Sequence, residues 1–167
     1  FSGMGVEPAT TADLDAVVET WVALAETQRA HGSHLDGAAN RETIRPLLAH
    51  HVVDGSVLVA RADEGVVGFV NVGIEEGALA SDATRGIVHN LFVEPASRDE
   101  GVGSALLDAA EAVLVDRGAD VIAIEAMADN EGARRLYRRR GYEPHRIQFE
   151  RPVDGAGTTE TDTSETR

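Results

Sequence analysis

Cysteine and lysine are both missing from these 167 residues. Without cysteine there is no disulfide, no thiolate metal site and no cysteine nucleophile, and the composition agrees with a reducing cytoplasm, the expected compartment. Without lysine there is no phosphate-binding P-loop, because that motif needs Lys-Ser/Thr directly after its second glycine. No apolar run approaches the roughly 18 residues that cross a membrane. No charged segment leads into an apolar one as in a secretory signal. Neither membrane insertion nor secretion is expected. What the chain does have is 43% hydrophobic residues, enough at this length for one domain with a full core.

Positive charge is scarce as well. Fifteen arginines face 29 acids, for a net charge of −14. Such a surface repels nucleic acid, so no nucleic-acid partner is expected. It could draw in a cationic amine. A proteome-wide acidic bias, as in a high-salt cytoplasm, accounts for the same excess and says nothing about substrate.

Phe1-Ser2-Gly3 ahead of Met4 reads as a vector-derived remnant. A domain is expected over residues 4–151. Residues 154–167, rich in Thr, Glu, Asp and Gly, are expected to form an acidic disordered tail. Gly5 to Ala9 predicts a short strand. Thr10 with Asp13 makes a capping-box-like start, after which Leu14, Val17, Val18, Trp21 and Leu24 mark one face of a helix reaching about Arg29. Trp21 on that stripe is assigned to the core. A polar loop follows to Ala39. Its His31, His34 and Asp36 lack a fixed fourth ligand, so no metal is expected.

Asn40 is placed as the cap of a second helix through about His50, with Pro46 expected to kink or break it. Ser56–Arg61 and Val66–Ile74 are β-rich and joined by Ala62-Asp63-Glu64-Gly65, which predicts a hairpin. Glu75 to Arg85 reads as a polar loop. Val121-Ile122-Ala123-Ile124 fits a buried parallel strand. A helix is predicted from Asn130 to Gly141, and a strand or short hairpin over Tyr142–Arg151.

The stretch from Ile87 to Leu107 organises the rest. Ile87 to Val93 is an apolar strand closed by Glu94-Pro95, because proline removes a ladder donor and holds the preceding residue extended. Val102, Ala105, Leu106, Ala109 and Val113 then recur at helical spacing from Gly101 to about Arg117, with Gly118 as a left-handed cap. A helix N-terminus leaves backbone N–H groups unpaired and carries partial positive charge, and glycines there let an anion approach the backbone. The junction therefore reads as a pyrophosphate cradle. It is not a dinucleotide fingerprint, since no third glycine follows at the required spacing.

Arg98-x-x-Gly101-x-Gly103, behind a strand ending Leu91-Phe92-Val93-x-Pro95, resembles the acetyl-CoA-binding signature of the GCN5-related N-acetyltransferase (GNAT) superfamily. A second block, Glu125-x4-Asn130-x2-Ala133-x2-Leu136-Tyr137-x3-Gly141-Tyr142, is similar to that superfamily's Asn-x-x-Ala-x-x-Leu-Tyr-x-x-x-Gly-Phe/Tyr pattern. The resemblance implies an α+β fold: a mixed, mostly antiparallel sheet with a splayed parallel pair of central strands, flanked by helices. It also implies transfer of an acetyl group from acetyl-CoA to the amine of a small molecule or peptide, with a homodimer left open. The first two helices and their loop would wall the acceptor pocket.

By the same resemblance, backbone amides of Leu91 and Val93, beside Phe92, would hold the acetyl and pantetheine groups. Arg98, Asp99, Glu100, Gly101, Val102, Gly103 and Ser104 would hold the pyrophosphate. Asn130 would contact the cofactor, and Tyr137 would contact it and act as general acid. Glu125 stands where one branch of the superfamily has a proposed base, with His89 or water as alternatives. Asp99 and Glu100 depart from the usual basic or polar residues of the loop and would weaken pyrophosphate binding at low salt. Bland readings remain for each: Asn130 as a plain N-cap, Tyr137 as core, Glu125 as a solvated residue. One or two of Arg134, Arg135, Arg138, Arg139 and Arg140 could reach a cofactor phosphate. A non-catalytic acyl-CoA-binding module on the same fold is the alternative function.

Overall fold

The computed structural model describes residues 4–77 and 79–154. Residues 1–3, where a remnant is expected, and residues 155–167 of the expected tail lie outside the described residues. Strands β1 (Gly5–Pro8), β2 (Val57–Ala62), β3 (Gly65–Ile74) and β4 (Arg85–Val93) pair antiparallel in chain order, and β5 (Val121–Ile124) joins β4 in parallel. The β2–β3 hairpin turns on Asp63-Glu64, with Gly65 at φ +113°, a left-handed value that suits only glycine without strain. The sheet is the mixed, mostly antiparallel one expected.

Period-2 alternation sends the side chains of each strand to two separate cores. On one face α1 (Leu14–Ala30) and α2 (Arg41–Val53) bury Val17, Val18, Trp21 and Leu48 against Val57, Val59, Phe69 and Phe92. On the other, α3 (Val102–Asp116) buries Leu106, Leu107, Ala110 and Leu114 against Leu58, Val70, Val72 and Val88. Tyr137 of α4 (Glu131–Arg139) packs at the margin of this second core. Among the described residues, no helix is long and apolar enough to cross a membrane.

Three expectations need correction. Pro46 does not interrupt α2, which runs unbroken through it. The hydrogen bond a proline forfeits here is to the Glu42 carbonyl, and Glu42 and Pro46 are both exposed, so water takes the lost partner's place. The Asn40 side chain does not cap α2; its amide donates to the Asp36 carbonyl at 2.7 Å, inside the preceding loop. Tyr142–Arg151 forms no strand. Strand structure requires a partner for its backbone groups, and Ile147 and Phe149 stand 69% and 89% exposed with nothing packed on them.

The entry to α1 is held by a charged cluster. Asp13 Oδ2 accepts from the Thr10 backbone N–H at 2.8 Å, and its carboxylate accepts from both terminal nitrogens of Arg61 at 2.9 and 3.0 Å. Arg61 thereby ties the start of α1 to β2, with only 8% of the Asp13 side chain exposed. The Arg61 hydrogen bonds hold the Asp13 carboxyl below its ordinary value. A depressed carboxyl contributes stability above the unfolded-state value near 4 and loses it as pH falls through the folded one. Asp13→Asn is expected to cost roughly 1.5–3 kcal/mol in urea unfolding at pH 7. The difference from the parent protein should shrink toward pH 3.

Candidate active site

Strands β4 and β5 pair only from Arg85↔Val121 to Val88↔Ile124. Beyond Val88, β4 continues on β3 alone. The Glu94 N–H donates to the Val67 carbonyl at 2.8 Å, which makes that opposed pair a hydrogen-bonded one. Alternation then turns the N–H and C=O groups of Leu91 and Val93 away from β3, into the space that β5 has left. These are the amides named from sequence. Phe92, between them, sends its ring to the opposite face, where it is buried against α1 and α2.

The loop from Arg98 to Ser104 brings a second row of backbone donors to the same end of the sheet. Asp99 sits at φ +62° and Gly101 at φ +82°, two left-handed residues with Glu100 between them. Asp tolerates that region better than most side chains, and glycine enters it freely. Gly101 is the N-cap of α3 and no side chain caps the helix, so the N–H groups of Val102, Gly103 and Ser104 have no partner within it. Val102 is 1% exposed and anchors the turn in the core. Gly103 abuts α4: a Cβ there would lie 3.3 Å from Leu136 Cδ2 and 3.8 Å from Val93 Cγ2. Asp99 and Glu100 are exposed. Arg98 folds back, its Nε donating to the outward carbonyl of Val93 at 3.0 Å, with the guanidinium 5.4 Å from the centre of the Phe92 ring.

Asn130 caps α4, its Oδ1 accepting from the Ala133 N–H at 3.2 Å. Two turns on, Tyr137 is held beside Tyr142 at a ring separation of 6.1 Å. Burial pushes the Tyr137 phenol up to about 12, so it stays protonated across neutral pH. Tyr142 donates to Glu111 of α3 at 2.9 Å, and Arg140 bonds Asp108 and Glu111, which fixes the far end of α4. Arg134 pairs with Glu131. Arg135, Arg138 and Arg139 are exposed and have no ion pair among the described residues.

Glu125 follows β5 directly and is exposed. His89 is close enough to feel its charge. His89 remains partly open to solvent, but partial desolvation lowers its imidazole pKa, the charge of His51 lowers it further and Glu125 opposes both, which favours the neutral form at pH 7. His31 and His34, set aside as metal ligands, instead meet Asp129 at 2.9 Å and Glu150 at 3.2 Å. These contacts tie the α1–α2 loop to the α4 side of the molecule. A separate hollow of about 390 Å³ lies at the outer edge of β5, lined by Glu111, Val121, Ile122 and Tyr142 among others. Of the residues named from sequence as possible cofactor contacts it includes Arg140, whose guanidinium is taken up by Asp108 and Glu111.

A model of the acetyltransferase (GNAT) family matches residues 19–142. The chain belongs to this family. A mycothiol acetyltransferase of Beutenbergia cavernae is 32% identical over 138 residues, 78% of this chain and 42% of that protein. The chain thus spans less than half the length of the mycothiol acetyltransferases it matches. The uncharacterized N-acetyltransferase YhfO of Bacillus subtilis is 28% identical and is covered to 90%. A GCN5-related N-acetyltransferase structure from Ralstonia eutropha superposes with a TM-score of 0.71 at 28% identity, over 92% of this chain and all of that one. AAC(6')-Iy, solved with a bisubstrate analogue containing CoA, shares the fold at TM-score 0.66 and 19% identity, over 91% of this chain and 99% of its own.

Set against this GNAT fold, the sequence motifs land on adjoining elements: the outward amides of β4, the left-handed turn into α3 and the capped α4. Asn71 and Gly73 of β3 were not singled out from the sequence. The signal available was one polar residue within Val66–Ile74, on the same alternating face as the buried Phe69.

The backbone at the two glycines separates them. Gly101→Ala forces a side chain into a left-handed position and should destabilise by about 1–2 kcal/mol. Gly103→Ala removes glycine's excess chain entropy from a helix and meets only a leucine methyl that can shift, so its effect should stay within about 1 kcal/mol. Urea unfolding of the two variants without any ligand checks both values.

Proposed function

We propose that this domain transfers an acetyl group from acetyl-CoA to a primary amine of a small molecule. The observation that carries this reading is the parting of β4 from β5 after Val88↔Ile124, which leaves the backbone of Leu91 and Val93 facing open space beside the uncapped start of α3. The residues present fit the donor. The amides of Val102, Gly103 and Ser104 would bind the pyrophosphate, with the αL turn of Asp99 and Gly101 forming the concave wall that suits an anion. The Leu91 and Val93 amides would hold the acyl and pantetheine end. Arg98 must release the Val93 carbonyl for that edge to be used in full, which makes it a gate as well as a phosphate contact. Acetyl-CoA supplies an acyl group activated as a thioester.

The chain's own groups then orient the amine and move two protons. Tyr137, kept neutral by burial, would give its hydroxyl proton to the departing sulfur. Glu125 would accept the proton that the attacking amine must lose. Asn130 fixes the first turn of α4 and so sets the height of Tyr137 over the sheet. The mycothiol acetyltransferases among the relatives support a small-molecule acceptor. The acidic surface would gather cationic amines at low salt.

Release of free CoA thiol with a panel of primary amines tests the reaction. Tyr137→Phe is expected to lower kcat about 10²-fold with acetyl-CoA affinity by calorimetry unchanged. Glu125→Gln should depress the rate at neutral pH and recover it at high pH, where the amine deprotonates itself. Full kcat in Tyr137→Phe would reduce Tyr137 to packing, and an unmoved pH profile in Glu125→Gln would pass the base role to His89 or water.

A further inference from the structure

Strand β4 carries one residue more than β3 between the pairs Asn71↔Asn90 and Val72↔Val88, and the extra residue is His89. A bulge of this kind re-aims the side chain it carries. Here the imidazole lies across Gly73, with Nε2 3.0 Å from the point a Cβ would occupy, so a residue larger than glycine would displace it. Along β3, Phe69, Asn71 and Gly73 share the face that packs on α1 and α2, while Val70 and Val72 belong to the opposite core. Asn90, directly opposite Asn71, shares that face. His51 from α2 and Glu125 beyond β5 both act electrostatically on His89. A polar group from three strands and a helix is thus gathered at the level where β4 and β5 part.

Asn71 is 5% exposed, yet its Oδ1 has no hydrogen-bond partner among the described residues. Burial without a partner is costly, and buried amide oxygens in stable proteins nearly always have one. The missing partner must be a donor, and neither the imidazole of His89 nor the amide of Asn90, which faces Asn71 across the strands, donates to it. Neutral His89 has one ring N–H and one lone pair, and with the lone pair turned to the cleft it is a second acceptor. An unpartnered amide oxygen and an imidazole lone pair at neighbouring positions of the β3–β4 register suit a ligand atom bearing two or more N–H bonds.

Resting on the amine-acetylation reading above, we propose that Asn71 and His89 form the subsite that grips the acceptor amine. Asn71 Oδ1 takes one N–H and the His89 imidazole a second, so the nitrogen lone pair is left facing the acyl end of the cleft. The subsite selects unhindered primary amines, whose attacking free base keeps two N–H bonds, over secondary and tertiary ones, whose free bases keep one or none and cannot satisfy both acceptors. Gly73 belongs to it as the residue that leaves room for the imidazole.

The test uses the full chain, acetyl-CoA, and the probes benzylamine, N-methylbenzylamine and spermidine, with KM and kcat read from thiol release and stability from urea unfolding. Asn71→Leu removes the acceptor but fills the volume. It should leave stability unchanged or raised, leave acetyl-CoA affinity unchanged, and raise KM for benzylamine and spermidine at least about tenfold. Asn71→Asp keeps an oxygen acceptor and should retain a KM near that of the parent protein. Gly73→Ala should raise KM in the same direction by pushing His89 aside. The parent protein should prefer benzylamine to N-methylbenzylamine, and Asn71→Leu should lose that preference. Turnover by the parent protein with an unchanged KM in Asn71→Leu overturns the subsite and leaves the amine reading standing. A lowered unfolding midpoint with unchanged KM makes Asn71 a packing residue and also overturns it. Failure of the parent protein to acetylate any of the three probes overturns the amine reading and the subsite together.

Discussion

The parallel contact between β4 and β5 lasts four residue pairs and then stops, and most of the site depends on where it stops. Had the ladder continued, the backbone groups of Leu91 and Val93 would be satisfied by β5 and no edge would remain for a ligand. The bulge at His89 comes one residue after the last pair and adds local twist where the strands separate. It also turns an imidazole toward the α1/α2 face. One irregularity in one strand thus accompanies an open backbone edge and a re-aimed polar group, the two features the proposed reaction would use for donor and acceptor. The two cores keep this opening from collapsing, since α3 braces one face of β4 and α1 with α2 the other.

Charge is distributed to suit such a cleft. Backbone amides and helix-terminal dipoles, which titrate at no pH, line the edge proposed for the donor. His89 and Glu125 stand where the proposed reaction would bring the acceptor, and Tyr137 is held neutral by burial. Arg98 is the one cation of the loop whose present contacts lie within the fold, on the Val93 carbonyl and over the Phe92 ring. Its guanidinium occupies the same edge that the donor would use, so binding exchanges one set of contacts for another.

What could be read in the sequence was local chemistry. Glu94-Pro95 ends a strand, Gly101 and Gly103 open a helix, Asn130 caps one and Gly118 closes one, each because of its own backbone preference. Their order along the chain was enough to place the fold in its family. The failures share a different cause. Whether Pro46 breaks a helix depends on which carbonyl loses its donor and whether water reaches it, which is a property of the folded surface. Tyr142–Arg151 alternates like a strand, but a strand exists only with a partner edge. His89 could be named as a candidate base, yet its placement over Gly73 follows from the register between two strands, which neither strand encodes alone.

Backbone amide resonances give the most direct test of the central claim, that the edge left by the parting of β4 and β5 holds acetyl-CoA. In a ¹H–¹⁵N titration with acetyl-CoA, the amides of Leu91, Val93, Val102, Gly103 and Ser104 should shift most, while the amide of Phe92, bonded to β3, should move far less. Shifts that leave Leu91 and Val93 unmoved, or that centre on the hollow beside Val121 and Tyr142, would contradict it.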